Sequence, residues 1–113
     1  MIQLGIRRFT GPFMSPLWLP PRQPGLYAVM IPGWRLLMFH PVHFGHADDL
    51  SSATVLKRHP KYGYWLTLAG TDWNLYVAVH PMPGSTQVQR RAAYDELLSL
   101  PFAATRGPAH AQL

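Results

Sequence analysis

The chain has 113 residues, 48% of them hydrophobic, with twelve prolines, no cysteine, and ten Lys and Arg against five Asp and Glu for a formal charge of +5 at pH 7. The length predicts one domain with one modest core and leaves no room for a second catalytic domain. Without cysteine, disulfides and thiolate-based zinc sites are excluded, and a positive balance of this size favours a polyanionic partner without demanding one.

The start, Met1 to Arg8, lacks the long apolar run of a signal peptide. No segment approaches the roughly 20 apolar residues of a membrane span. The expectation is a soluble cytoplasmic protein with no membrane partner and no predicted oligomeric state. Residues 1–23 form a Pro-rich arm, 24–104 the main domain and 105–113 a flexible tail.

In the arm, Leu4 and Ile6 alternate with polar neighbours over Ile2 to Phe9, which predicts an edge strand that Gly11-Pro12 stops. Five prolines between Pro12 and Pro24 keep the next stretch irregular, with Trp18 against the core. Gly25 to Ile31 is apolar throughout, as in a central strand covered on both faces. Pro32-Gly33 is a short connection, so the strand over Trp34 to Phe44 pairs with it antiparallel. That second strand is interrupted near His40-Pro41 and ended by Gly45. Asp48 or Asp49 caps a helix running to Arg58, with Leu50, Ala53 and Leu56 on its apolar side. His59 to Gly63 is a basic aromatic loop, and Tyr64 to Leu68 fits a strand or a short helix equally. Asn74 to His80 is a further strand ended by Pro81. Ser85 or Thr86 caps a last helix to about Leu100, with an apolar stripe of Val88, Ala92, Leu97 and Leu98 and a stop at Pro101. The predicted fold is an α/β domain: a small, mostly antiparallel central sheet of about three strands, an extra N-terminal edge strand, and flanking helices.

The candidate chemistry lies in three places. Lys57, Arg58 and Lys61, with Tyr62, Tyr64 and Trp65 close by, are the residue types that grip phosphates and stack bases; the plainer alternative is a solvated loop with aromatics in the core. Arg90 and Arg91 on the last helix add two more cations, or a solvated helix face. His40, His43 and His46 recur every third residue. On a regular strand His40 and His46 share one side and His43 points to the other, so they do not form one triad. Adding His80 would allow a two- or three-histidine site of the kind that suits zinc, copper, iron or nickel, but isolated histidines are commoner than ligands. No metal site is therefore assigned.

The order Pro24-Gly25-Leu26-Tyr27, a hairpin, His43-Phe44-Gly45, a helix from Asp48-Asp49-Leu50, a third strand and a closing helix ending at proline resembles the GIY-YIG nuclease superfamily. The likeness runs from about Pro24 to Pro101. It implies two motifs on neighbouring strands of a three-stranded sheet. Family members cut a DNA phosphodiester with tyrosines of both motifs, an arginine on the following helix that steadies the phosphate, and a glutamate on the last helix that holds one divalent metal. Here Tyr27 stands for the first tyrosine and His43 replaces the second, where it could act as a general base. Eight residues beyond Gly45 the arginine's place is taken by Ala53, and three before Leu97 the glutamate's place is taken by Tyr94. The resemblance therefore implies a remnant site of Tyr27 and His43 in a domain that binds nucleic acid or a protein partner, needs no cofactor and does not cleave. The alternatives are an endonuclease with substituted residues, dependent on magnesium or manganese, and a structural protein that keeps only the scaffold. In that last reading the Pro-rich arm is a docking segment, and Tyr27 is a core tyrosine with a satisfied hydroxyl.

Overall fold

The computed structural model describes residues 2–33 and 39–99. Strands β1 (Ile2–Leu4), β2 (Arg7–Met14), β3 (Gly25–Pro32), β4 (Phe39–Ala47) and β5 (Tyr76–Pro81) form one sheet, joined by helices α1 (Leu50–Ala53), α2 (Tyr62–Ala69) and α3 (Gln87–Leu98). The sheet order is β1-β2-β5-β3-β4, and every pairing is antiparallel.

β3 is buried from Gly25 to Met30, as a continuous apolar run at the centre of a covered sheet should be. Its even residues, Leu26, Ala28 and Met30, pack with Phe9, Phe44 and Ala78 beneath Ala93 and Leu97 of α3. Its odd residues, Tyr27 and Val29, pack with Val77 and Val79 beneath Leu50, Leu56 and Trp65 of the α1–α2 layer. Full burial of a large apolar side chain contributes about 1.5–3 kcal/mol, so this one strand anchors both cores. Gly25 is required by a close approach, because a Cβ there would overlap the backbone of His80 on β5.

Five strands replace the expected three with one edge strand, because the N-terminal segment is a hairpin. β1 turns at Gly5, whose φ is 68°, and pairs with β2 through Ile2↔Phe9 and Leu4↔Arg7. Gly11-Pro12 does not stop β2. The register shifts between Thr10 and Phe13, and a bulge is where a strand can hold a proline that donates no ladder hydrogen bond.

β4 likewise continues past Gly45, which pairs with Tyr27, and ends at Ala47. The expected beginning of this strand at Trp34 lies outside the described residues. Its register slips opposite Val29 and Met30, where Val29 faces His43 but Met30 faces Pro41, leaving Val42 as the extra residue of a bulge.

The helix expected from Asp49 to Arg58 is two pieces. Asp49 caps α1 by accepting the Ser51 amide at 2.9 Å and the Ser51 hydroxyl at 2.6 Å. The helix then stops where β-branched Thr54 and Val55 follow each other. Thr54 Oγ1 donates to the Leu50 carbonyl at 2.7 Å and accepts Trp18 Nε1 at 3.0 Å, which seats the Pro-rich arm on the core. A 3-10 turn, Leu56–Arg58, completes the span.

Tyr64 to Leu68 is helical, within α2, which Gly70 closes in the left-handed conformation at φ 87°. A capping box between Thr86 and Gln89 starts α3. The stripe expected on this helix is rotated: Val88 is 79% exposed and Ala92 is also exposed, while Arg90, Ala93 and Leu97 are buried. The stop expected at Pro101 and the tail lie outside the described residues. Among the described residues, no helix is long and apolar enough to cross a membrane.

Candidate functional site

Antiparallel pairing puts Tyr27 opposite Gly45 and Val29 opposite His43, so Tyr27 and His43 point to the same face. A Cβ at position 45 would collide with the phenol carbons and hydroxyl of Tyr27, so the glycine is what lets that ring lie flat across β4. The Tyr27 and His43 rings are 5.9 Å apart. His43 meets His59 edge-on at 5.1 Å and Trp65 at 5.1 Å, and His59 meets Trp65 at 4.5 Å. Two strands, the loop before α2 and α2 itself therefore assemble a cluster of one phenol, two imidazoles and one indole.

Burial sets its electrostatics. Tyr27 is 5% exposed, and desolvation, helped by the nearby phenol of Tyr94, pushes its hydroxyl above the ordinary tyrosine range. His59 moves the other way: partial burial, then the charge of Lys61, holds it below the usual imidazole value. The Lys61 amide donates to His59 Nδ1 at 3.0 Å, which fixes the neutral tautomer with its proton on Nε2. Trp65 is fully buried, and its Nε1 has no acceptor among the described residues. Ala53 packs against the same cluster. The result is a protonated phenol in a cluster whose second imidazole, His59, is held neutral.

The bulge in β4 overturns the expected sorting of histidines. Because Val42 is extra, His40, opposite Ile31, and His43, opposite Val29, share the α2 face, while His46, opposite Leu26, faces α3. His80 also pairs with Leu26, and its Nδ1 is hydrogen-bonded to the Arg8 carbonyl at 2.8 Å. Among the described residues, no group of three or more histidines, cysteines or carboxylates could hold a metal ion.

The six predicted nucleic-acid contacts divide between the two faces. On the α2 side, Lys57 and Arg58 are exposed. Lys57 lies 3.9 Å from Asp72, an exposed pairing worth at most about 1 kcal/mol that leaves the cation available. Lys61 is half-buried. Tyr62 is held in place by Asp72, and its hydroxyl is pushed up by desolvation, then by the charge and hydrogen bond of that carboxylate. On the α3 side, Arg90 is only 6% exposed and Nη1 donates to the Ser85 carbonyl at 2.6 Å and hydroxyl at 3.1 Å. Arg91 is exposed, bonds Asp95 at 3.2 Å and lies over the Tyr94 ring. The two arginines thus share no surface with the 57–61 segment.

Of the two alternatives for Trp65, base stacking or core packing, the structure gives the second. The indole in reach is Trp73, 54% exposed in the 3-10 turn Asp72–Asn74 and adjacent to the partner of Lys57. The signal for it was Thr71-Asp72, a capping residue and a turn residue that hold the following side chain outside a regular element; the Thr71 hydroxyl accepts the Trp73 amide at 3.4 Å.

No family model, no curated protein and no solved structure matches this chain.

Proposed function

We propose that this chain is a GIY-YIG-like domain that no longer cuts and that binds single-stranded nucleic acid through Lys57, Arg58 and Trp73. The observation that carries the reading is the contrast on one face of the sheet: Tyr27 and His43 pack beside Trp65, with alanine at position 53, while Lys57, Arg58 and the indole of Trp73 are exposed, Lys57 and Trp73 on either side of Asp72. Support for the family likeness comes from the antiparallel β3–β4 pair, from β5 on the other side of β3, from Ala53 packing against the core that contains Tyr27, and from Tyr94 acting electrostatically on Tyr27. Those two positions are where the phosphate-steadying arginine and the metal-holding glutamate would stand. Phosphoryl transfer needs positioned positive charge, one such group being worth several kcal/mol, and alanine and tyrosine supply none.

The test is fluorescence anisotropy with labelled single- and double-stranded DNA and RNA over a salt series. Single strands should bind better than duplex, and affinity should fall with salt. Replacing Lys57, Arg58 and Lys61 together by alanine should reduce the salt slope on single strands by up to about 2.1, and Trp73→Ala should weaken binding by about 1–3 kcal/mol. Oligonucleotides incubated with magnesium or manganese should remain intact. Metal-dependent cleavage abolished by Tyr27→Phe would restore the nuclease alternative. A second reading has its own observation: Leu17 and Leu19 of the Pro-rich arm are 67% and 88% exposed, near Met14 at 39%, as a protein-docking segment would be. Failure to bind any strand at low salt would favour it.

A further inference from the structure

On the α3 face, the end of β4 and the first turns of α3 enclose a cavity of about 220 Å³ lined by His46, Ala47, Asp48, Gln87 and Arg90. Arg90 is its unusual wall. With 6% of its surface exposed, it spends Nη1 on Ser85, its buried Nε meets no acceptor, and among the described residues no carboxylate forms an ion pair with it. A buried guanidinium without counter-charge is strongly unfavourable, because desolvation is not offset. The cavity also opens at the start of a twelve-residue helix. Its capping box takes the amides of Thr86 and Gln89, and among the described residues no acceptor meets those of Gln87 and Val88. Such a terminus favours an anion. Asp48, exposed at the rim, is the acidic group facing the same space.

We propose that this cavity binds one phosphate group, with Arg90 as its cation and Gln87, His46 and the first amides of α3 as further donors. Free phosphate, a nucleotide or the backbone of a strand could each supply that group. The site faces away from Lys57 and Trp73, across the sheet, so it stands or falls apart from the nucleic-acid reading above.

The experiment is a titration of the full chain with inorganic phosphate against chloride of equal ionic strength, followed by amide NMR shifts and by thermal melting. Shifts should concentrate at residues 46–48 and 85–90, and the melting temperature should rise with phosphate. Asp48→Asn should tighten binding about two- to fivefold, as removal of one exposed like charge allows. His46→Gln should weaken binding while the chain stays folded, and Arg90→Met should abolish it. Because the Arg90 variant could lose its fold along with Ser85, the decision rests on the Asp48 and His46 variants. Phosphate shifts that are absent or scattered over the surface, or affinities identical in wild type, Asp48→Asn and His46→Gln, would overturn the site. Titration with a mononucleotide and with a short single strand then identifies the source. Tighter binding of the strand at the same amides assigns a backbone phosphate, and equal or weaker binding assigns a free one.

Discussion

Under α3 the sheet presents Leu26, Ala28, Met30, Phe44 and Ala78, whereas under α1 and α2 it presents Tyr27, Val29, Val42, His43 and Val77. Both faces come from the same three strands, and the residues named are buried on each except His43, which is half-buried. The first is filled by aliphatic and aromatic hydrocarbon, with Arg90 and the ring pair of His46 and Tyr94 beside it. The second places a phenol and imidazoles in the middle of the packing, around an indole. The same sheet thus carries two kinds of packing, and rings with polar atoms supply contact area on the second face much as hydrocarbon does on the first.

The comparison breaks most visibly at Trp65. As the fully buried centre of the α2 face, its replacement by alanine should remove about 3–5 kcal/mol of stability in urea unfolding. A loss as small as that of a surface substitution would mean that His43 and His59 do not depend on the indole. Next in size, Gly45→Ala should lose about 1–3 kcal/mol by forcing Tyr27 off its seat. Combining it with Tyr27→Ala should give less than the sum of the two single losses; strict additivity would show that the ring does not rest on the glycine. On the α3 side, Thr86→Ala should lose about 1 kcal/mol through the capping box, a change measurable as a shift in urea midpoint. A loss near zero would show that Gln89 alone holds the first turn.

The smallest effect is a pH slope. The pKa of His59 lies below the ordinary value of 6.5 in the folded chain, so the unfolded chain takes up the proton first. Stability is therefore whole above about 6.5 and declines as pH falls from there towards the folded value. Thermal melts from pH 7.5 to 5.5 should show this decline, and His59→Gln should flatten it. A slope unchanged in that variant would assign the proton uptake to other groups.

Much of the fold is legible in the residues because local and tertiary preferences agree. The apolar run of β3, the Asp49 cap and the Thr86–Gln89 box each specify their element on their own. Legibility fails where one residue changes the phase. Val42 adds one position to β4 and moves His40 to the face of His43; alternation along a strand carries no sign of an inserted residue. Gly11-Pro12 reads as a stop, yet a register shift carries β2 through it. On α3 an arginine counted as outward is buried, because its stem packs and its head is held by Ser85, and the apolar stripe is misread by that amount. In the site, the pairing of Tyr27 with His43 follows from the hairpin, whereas the arrival of His59 and Trp65 depends on how α2 docks. For Trp65 in particular the sequence leaves both places open, because composition does not distinguish a packed aromatic from a stacking one.

The bulge in β4 also bears on how the molecule meets its own copies. β4 is the outermost strand on its side, and among the described residues no strand pairs with its far edge. A flat nine-residue strand with a free ladder would be a template for edge-to-edge addition and aggregation. Pro41 removes one donor from that strand, and the extra residue at Val42 twists the backbone out of line, so an incoming strand finds no long continuous row of partners. The irregularity that turns His40 towards His43 thus also interrupts the ladder along the outer edge of β4.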